Sequence, residues 1–330
     1  MIKRIEEMLL PRGINFTDSQ QHVLDMDESI NVIAAPGAGK TTVLIAKCAL
    51  LLKEAKFNST GVCILTHTNV AVDEIKLGIE RLGLGEIQYP NFIGTIQSFF
   101  NHFFARKMYQ SEYSNNKFRI LDEKEYEDYF HRIFERNKPH WYKDDWSLPK
   151  PDNDEKYTRD LICDSEGISN RVRHSNDDCE LSLQITHDSL LGNGIFCNKD
   201  TLLLSKLYIE KYKNELNKVI GKRFKYLLLD EAQDTNELQY QLLSNLLENS
   251  GVVFQHFGDP HQQIMNSIGA ILDSGWKPHD GKFRKLEIAE SNRFGENVAK
   301  VLRTTCAYHY STLQGNEGVN SFQPHVLLYV

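Results

Sequence analysis

The chain has 330 residues, a formal net charge of −7, 25% charged residues and a hydrophobic fraction of 41%. This length allows two or more domains with a real core, and the composition excludes a disordered or strongly basic chain. Six cysteines without C-x-x-C spacing argue against a zinc site or a disulfide framework. With a charged N-terminus and no apolar run long enough for a membrane span, we expect a cytoplasmic protein without a membrane partner.

The first distinctive stretch in chain order is Thr17-Asp18-Ser19-Gln20. Thr17 is a favourable helix N-cap, and Gln20 three residues later completes a capping box. The same Gln20 amide lies just upstream of the next motif, where it could read adenine with one donor and one acceptor. Spacing alone leaves both interpretations open.

A phosphate-binding loop is predicted between a buried strand at residues 30–35 and a helix at 43–52. The intervening glycines allow backbone N–H groups to surround phosphate oxygens, and the helix start presents its positive dipole end to the same anion. Lys40 is expected to reach the β- and γ-phosphates and the Thr41 hydroxyl to bind Mg2+. The strict motif has glycine where this chain has Ala34, so an ordinary glycine turn is the alternative. The expected nucleotide-contacting residues are Gln20, Pro36, Gly37, Ala38, Gly39, Lys40, Thr41 and Thr42.

Strands and helices alternate after this loop. Residues 62–68 predict a second buried strand, residues 69–82 a helix, and residues 92–93 the beginning of a third strand. Because the strands are separated by helices, the pattern predicts an α/β fold with a doubly wound parallel sheet.

The pattern changes between residues 106 and 221. Aromatic side chains alternate with charged ones over 106–150, residues 151–200 show turns and little periodicity, and residues 201–216 are helical again. We interpret the stretch as a mostly helical insert between strands of the α/β domain. Aromatics beside basic residues can stack on bases, although packing between amphipathic helices is the simpler interpretation for any one of them.

Two carboxylates, Asp230 and Glu231, close the next apolar strand. Downstream of a phosphate-binding loop, this pair predicts Mg2+ held through water by Asp230 and an attacking water polarised by Glu231. An acidic turn at the strand end is the alternative. Gln262 follows another strand and could sense the γ-phosphate, although there a plain turn is simpler. The remaining predicted elements are helices at 237–247 and 296–302 and strands at 252–257, 286–288 and 324–330.

The order of these motifs resembles the UvrD/Rep-like superfamily 1 DNA helicases, in their N-terminal ATP-binding half. The matching stretches are Gln20 and residues 34–41, 66–71, 94–99, 230–234, 258–262 and 291–294. The resemblance implies a RecA-like P-loop NTPase with a mostly helical inserted subdomain. It places the ATP-binding domain 1A at residues 1–105 and 222–305 and a 1B-like insert at 106–221. Residues 306–330 would begin a second, missing RecA-like domain or form a C-terminal tail.

The resemblance also implies roles for single residues. Gln262 would couple the γ-phosphate to the DNA groove, and Arg293 would contact that phosphate. The residues implied in catalysis are Lys40, Asp230, Glu231, Gln262 and Arg293, and those implied in binding Mg2+, partly through water, are Thr41 and Asp230. Single-stranded DNA would lie at strand carboxyl ends, near Thr68, Asn69, Thr95 and Ser98.

The chain departs from the family pattern at several stacking positions. Met265 and Ser267 stand where the family has aromatics that stack on DNA, and Asn292 where an aromatic commonly lies under adenine. His67 and Gln97 replace an aromatic and a histidine. Each lost stack would remove roughly 1–3 kcal/mol of affinity for bases.

These features lead to two hypotheses from different classes. The first, which we prefer, is the motor half of an ATP-dependent DNA helicase, with Mg-ATP hydrolysis coupled to salt-sensitive binding of single-stranded DNA. Its hydrolysis would be weak alone, because an arginine finger of the second domain is worth roughly 10³–10⁵ in rate. The second is an ATP-binding module without motor action that gates a partner such as a nuclease in DNA repair or phage defence. A third, weaker interpretation is another P-loop ATPase, of the AAA or ABC type. Residues 230–234 and 258–262 argue against it, and the LSGGQ-like stretch that ABC proteins need is not found in the sequence.

Overall fold

The computed structural model describes residues 2–55, 60–113, 117–143, 147–151, 157–164, 167–262, 274–305 and 313–319. The chain divides into two compact units. The sheet unit comprises Met1–Ile96 and Asn214–Val330, and the inserted unit comprises Gln97–Lys213. The sequence pattern places the boundaries of the insert at 106 and 221 instead. Within the described ranges, no helix is long and apolar enough to cross a membrane.

The strands are β1 (Ile30–Ala34), β2 (Gly61–Thr66), β3 (Phe92–Thr95), β4 (Arg119–Ile120), β5 (Tyr157–Asp164), β6 (Gly167–His174), β7 (Ile195–Phe196), β8 (Phe224–Leu229), β9 (Val253–Gly258) and β10 (Arg284–Ile288). The helices are α1 (Ile2–Leu9), α2 (Asp18–Asp25), α3 (Lys40–Ala55), α4 (Asn69–Arg81), α5 (Ile96–Phe100), α6 (Arg106–Glu112), α7 (Glu123–Asn137), α8 (Asp177–Gly192), α9 (Asn198–Lys211), α10 (Lys213–Arg223), α11 (Glu237–Leu247) and α12 (Glu296–Thr305). A π-helical turn, Asn101–Ala105, separates α5 from α6, and a 3-10 turn, Ala232–Asp234, follows β8.

Six strands of the sheet unit form one parallel sheet in the order β10-β1-β9-β8-β2-β3. Every residue of β1 and β2 is buried, which explains why both strands read as continuous apolar runs rather than alternating ones. Strands β1 and β2 follow each other in the chain but are separated in the sheet by β9 and β8. The predicted α/β fold with a doubly wound parallel sheet is confirmed.

Side-chain caps determine where several helices begin. The capping box predicted at Thr17 and Gln20 is present at the start of α2. Thr68 caps α4, since its hydroxyl accepts a hydrogen bond of 3.1 Å from the backbone N–H of Ala71. Asn236 caps α11 in the same way through Gln239. Each cap satisfies an N–H group that has no partner within its own helix.

The inserted unit contains a hairpin and a helix where the sequence shows little periodicity. Strands β5 and β6 pair antiparallel, and the 16-residue helix α8 follows them. The interior of the hairpin is partly polar, because the buried Arg159 guanidinium lies 3.0 Å from the Asp200 carboxylate and 3.0 Å from the Asn170 side-chain oxygen. A strand that buries charged and amide groups lacks the apolar alternation from which strands are predicted.

The aromatic residues of the inserted unit also have definite positions. Tyr109, Tyr126, Phe130 and Phe134 are buried, so helix packing is confirmed for these four. The helical stretch predicted at 201–216 is confirmed, with one interruption at Tyr212, where α9 ends at Lys211 and α10 begins at Lys213. The predicted strand at 324–330 lies outside the described residues.

Candidate nucleotide-binding site

The loop between β1 and α3 is packed tightly against residues 291–293. Gly37 and Gly39 both have a φ of +76°, a conformation that favours glycine. A Cβ atom on Gly37 would lie 2.6 Å from the Arg293 Cβ and 2.7 Å from the Ser291 hydroxyl. The backbone N–H of Asn292 donates a 2.9 Å hydrogen bond to the Gly37 carbonyl. The loop therefore brings Arg293 next to the start of α3.

A cavity of about 460 Å³ opens over this loop, at the carboxyl end of β1. Ligands of doubly wound sheets bind at such strand ends, and the size suits a small-molecule ligand. Its lining residues are Ala34, Ala35, Gly37, Ala38, Gly39, Lys40, Thr41, Thr42, Glu231, Asp259, Gln262, Asn292 and Arg293. The cavity thus unites most of the residues predicted for nucleotide binding and catalysis. Three predicted residues, Gln20, Pro36 and Asp230, do not line it.

The Lys40 ammonium connects the loop to the two strand-end carboxylates. Its Nζ donates to Glu231 Oε2 and lies 3.8 Å from Asp230 Oδ1. The Gln233 amide donates to the same Glu231 oxygen at 2.8 Å. Burial alone would raise the pKa of Glu231, but the Lys40 charge and these hydrogen bonds outweigh it and hold that pKa below its usual value. Glu231 is therefore ionised at neutral pH.

Asp230 occupies a different environment, although it is the adjacent residue. Its side chain is buried and its pKa is raised to about 6 by burial, with Lys40 opposing the shift. Its Oδ1 atom accepts no hydrogen bond from the described residues. A buried carboxylate oxygen without a hydrogen bond is costly, and a hard cation would satisfy it. The Asp230 oxygen therefore fits a site for Mg2+.

The protein supplies few metal ligands of its own. In the described part of the chain, no group of three or more His, Cys, Asp or Glu side chains could hold a metal ion. Mg2+ commonly takes one or two protein oxygens and completes its shell with water and substrate phosphates. Asp230 and the Thr41 hydroxyl match that sparse donor set.

Glu231 has an unusual backbone conformation. With φ 48° and ψ 45°, it is left-handed at the end of β8. For a residue other than glycine this costs about 1–2 kcal/mol, and such strain often occurs at functional sites. Here it accompanies a carboxylate that faces the cavity and pairs with Lys40.

A hydrogen-bonded chain links the end of β8 to Gln262. The Gln233 side-chain oxygen accepts from the Asp259 backbone N–H at 3.0 Å. The Asp259 carboxylate accepts from the Gln262 amide at 2.6 Å and from the His261 N–H at 3.0 Å. Sequence reasoning missed the roles of Asp259 and Gln233. For Asp259 the available signal was a carboxylate directly after a buried strand.

Gln20 is 4% exposed and uses both ends of its amide. Its oxygen accepts from the Thr17 N–H at 3.0 Å, and its nitrogen donates to the Ala38 carbonyl of the loop at 2.9 Å. The capping interpretation is confirmed. One lone pair and one N–H remain, which is the pair that adenine would require, so the adenine interpretation stays a prediction.

The residues predicted to contact DNA lie in both units. Thr68, Asn69 and Thr95 belong to the sheet unit, where Asn69 is exposed and Thr95 is the last residue of β3. Ser98 is exposed on α5 and belongs to the inserted unit. Thr68 also serves as the α4 cap. Contact of these four residues with DNA stays a prediction.

Two of the replaced stacking positions form internal hydrogen bonds. His67 Nε2 lies 3.1 Å from the Thr235 hydroxyl, and burial lowers the pKa of His67 to about 4. The Gln97 amide donates to Asn101 and to Thr201, both at 2.9 Å. The replaced positions at 265 and 267 lie outside the described residues.

Comparison with known proteins identifies the family. Residues 16–271 match the UvrD/REP helicase N-terminal domain. The chain belongs to this family. The match includes the phosphate-binding loop and the Asp230–Glu231 pair, whereas Arg293 lies beyond it.

Curated relatives of this UvrD/REP family member are named as helicases. The chain is 26% identical over 265 residues to a probable DNA helicase II homolog of Mycoplasma capricolum, covering 76% of this chain and 35% of the relative. It is 25% identical over 261 residues to the ATP-dependent DNA helicase Rep of Buchnera aphidicola, covering 78% and 39% respectively. It is 27% identical over 291 residues to the ATP-dependent DNA helicase srs2 of Schizosaccharomyces pombe, covering 81% and 29%. The chain therefore spans about a third of the length of these relatives.

Proposed function

We propose that this chain binds and hydrolyses Mg-ATP as the N-terminal, ATP-binding half of a DNA helicase motor. The observation that carries the proposal is the convergence of Lys40, Glu231, Gln262 and Arg293 on one cavity beside the glycine loop. These residues come from four separate segments of the chain. A glycine turn of purely structural purpose would not need an ammonium, a carboxylate, an amide and a guanidinium at the same place.

The side chains divide the work of hydrolysis. The loop N–H groups and Lys40 hold the phosphates, and Glu231 accepts a hydrogen bond from the attacking water and then its proton. Asp230 and Thr41 hold Mg2+, which neutralises charge on the phosphate oxygens when it is bound. Since Lys40 pairs with Glu231, a γ-phosphate that attracts Lys40 would free the carboxylate for water. Nucleotide binding would thus activate the base.

Two further groups sense the γ-phosphate. Gln262 is held by Asp259, and Asp259 is held by Gln233 next to the acidic pair. A change at the phosphate can therefore pass from the Gln262 amide to the Asp259 carboxylate, and from the Asp259 backbone N–H to the Gln233 side chain. Arg293, which lines the same cavity, adds positive charge where negative charge develops.

We assign domain 1A to residues 1–105 and 222–305 and a 1B-like insert to residues 106–221, close to the compact inserted unit Gln97–Lys213. Residues 306–330 would begin a second RecA-like domain or form a C-terminal tail. Single-stranded DNA would bind at the strand ends near Thr68, Asn69, Thr95 and Ser98. The relatives' names as DNA helicases support DNA as the partner. On a chain of net charge −7 the groove must be local, and its affinity should fall with salt.

A second candidate is an ATP-binding module that gates another protein, such as a nuclease. It is favoured by His67 and Gln97, whose side chains are engaged in internal hydrogen bonds at positions that stack or bind DNA in the resembling family. In this case ATP would bind without DNA-stimulated turnover.

The test is ATP turnover of the chain with and without single-stranded DNA, at low and high salt, beside Lys40→Ala. We expect turnover to rise with DNA at low salt and to fall about 10²–10³-fold in the variant, the loss typical of removing one stabilising group. Lys53→Ala, at an exposed position of the same helix, is the control and should match the wild type. Turnover that survives Lys40→Ala would overturn the assignment, and ATP binding without turnover would favour the gating module.

A further inference from the structure

The short helix α2 meets a carboxylate at its N-terminal end. The hydroxyls of Thr17 and Ser19 both donate to Glu290 Oε2, at 3.0 and 2.6 Å. Glu290 directly precedes residues 291–293, which pack on the glycine loop. A negative charge at the positive end of the helix dipole is favourable. Glu290 therefore connects the start of α2 to the segment 291–293, which includes Arg293.

The opposite end of α2 meets a buried ammonium. Lys47 lies on α3, is 1% exposed, and donates from Nζ to the Leu24 carbonyl at 2.9 Å and to the Met26 carbonyl. The Gln255 amide of β9 donates to the same Met26 carbonyl and to that of Glu28, both at 3.0 Å. Lysine is almost never fully buried without partners, and here its partners lie at the negative end of the helix dipole.

These end contacts determine where Gln20 lies. An eight-residue helix has little stability of its own, so tertiary contacts set its position. Gln20 reaches the loop through Ala38, and a Cβ atom on Gly39 would be only 3.2 Å from its Nε2. A small movement of α2 would therefore break the Gln20–Ala38 hydrogen bond and turn the amide.

We infer that Glu290 and Lys47 are positioning residues that hold α2 from both ends and thereby set the Gln20 amide for recognition of the adenine base. This inference rests on the proposed function, that the site binds ATP. It adds that base specificity depends on two charged side chains that need not touch the nucleotide. Glu290 and Lys47 come from different segments, so each supplies an independent test.

The experiment measures the Kd of ATP and of GTP for the wild type, Glu290→Gln, Lys47→Met and Gln20→Ala. We expect the wild type to prefer ATP, and each variant to lose about three- to tenfold of that preference, as for one neutral hydrogen bond. The Kd of GTP should change little. Glu7→Gln and Lys53→Met, which alter exposed side chains of the same unit, should keep the full preference.

Two additions separate positioning from simple loss of stability. Thermal unfolding, monitored by circular dichroism, shows at which temperature every variant is folded, and nucleotide binding is measured at that temperature. If Lys47→Met does not fold, Glu290→Gln carries the test, because that side chain is only half-buried. Adding Ser19→Ala to Glu290→Gln should cost less than the sum of the single losses, since the two residues share one hydrogen bond.

The outcomes distinguish the inference from the proposed function. An unchanged ATP preference in Glu290→Gln and in folded Lys47→Met, with a loss in Gln20→Ala, overturns positioning and leaves ATP binding intact. Equal weakening of ATP and GTP also overturns it, because that is the effect of a merely structural role. If the wild type binds ATP and GTP equally, the site has no base specificity and the inference fails. If it binds neither nucleotide, the proposed function fails as well.

Discussion

Two adjacent carboxylates acquire opposite properties from their surroundings. Burial raises the pKa of Asp230 to about 6, whereas Lys40 and Gln233 overcome burial at Glu231 and lower its pKa. When environments separate the pKa values of neighbouring acids, the acids can take different roles. Asp230 suits a cation and Glu231 suits a proton acceptor.

Asp230→Asn should stabilise the ligand-free protein at pH 7.5 while abolishing ATP turnover. The folded-state pKa of about 6 exceeds the ordinary 3.8. The stability that the protonated Asp230 carboxyl contributes to the fold is therefore present below pH 3.8 and is lost as the pH rises through 6. At roughly 1.4 kcal/mol per pKa unit, the ionised carboxylate costs of the order of 3 kcal/mol, which asparagine avoids.

Urea unfolding at pH 7.5 and pH 4.5 measures this difference in the free energy of unfolding. The gain of Asp230→Asn should shrink at pH 4.5, where the folded wild type is protonated. Asp73→Asn, at an exposed position of α4, should show no gain at either pH. A variant less stable than the wild type at pH 7.5 would contradict the cost that we assign to burying this ionised carboxylate.

At the scale of elements, the site is formed where the loop after β1 meets the segment after β10. These two strands are neighbours in the sheet, so their carboxyl ends meet. The absence of a side chain at Gly37 lets the loop approach Ser291 and Arg293. Gly37 thus determines both the backbone conformation of the loop and the contact between the loop and residues 291–293.

Gly37→Ala should weaken ATP binding and destabilise the protein more than Gly13→Ala. Both glycines have positive φ, +76° and +83°, so both variants lose about 1–2 kcal/mol from the left-handed conformation. A Cβ atom at position 13 has nothing within 4 Å, whereas at position 37 it meets two atoms below 3 Å. Overpacking of this kind costs a further 1–3 kcal/mol or so.

Urea unfolding and the Kd of ATP check this pair of variants. Both variants share the cost of a positive φ at alanine. The difference between Gly37→Ala and Gly13→Ala in the free energy of unfolding and in the Kd of ATP therefore measures the effect of the contact with residues 291–293. Equal destabilisation and equal ATP binding would mean that the contact does not shape the site.

At the scale of the whole molecule, both units bury neutral histidines. His256 of the sheet unit is fully buried on β9, with Nδ1 3.2 Å from the Ile30 carbonyl and Nε2 3.3 Å from the Tyr240 hydroxyl. Burial lowers the pKa of His256 to about 3, although the Ile30 carbonyl opposes the shift. In the inserted unit, burial likewise lowers the pKa of His187 well below its usual value.

Mild acid should therefore destabilise the fold. The folded-state pKa of His256 lies below the ordinary 6.5. The stability that the neutral His256 contributes to the fold is therefore present above pH 6.5 and is lost as the pH falls towards 3. The loss is roughly 1.4 kcal/mol per pH unit in that window. Urea unfolding between pH 7.5 and 5 should show a shallower pH dependence for His256→Gln than for the wild type or for the exposed His140→Gln. If the free energy of unfolding depends on pH equally in the wild type and both variants, His256 is not a buried neutral histidine.

The sequence by itself determined the elements of the sheet and most of the residues of the candidate nucleotide-binding site. Buried strands, the glycine loop, the cap at Thr17 and the acidic pair at 230–231 are all encoded in neighbouring residues. Periodicity, caps and turns depend on local backbone geometry, which is why their positions agree with the structure to within a few residues.

Only the tertiary structure decided how these parts meet. Glu290 beneath α2, Lys47 at its other end, Asp259 behind Gln262 and the clearance at Gly37 all join residues far apart in the chain. The hairpin of the inserted unit was also hidden, because Arg159 is neutralised by a residue outside the hairpin, Asp200. A contact between distant segments leaves no local pattern, so its partners are known only once the chain is folded.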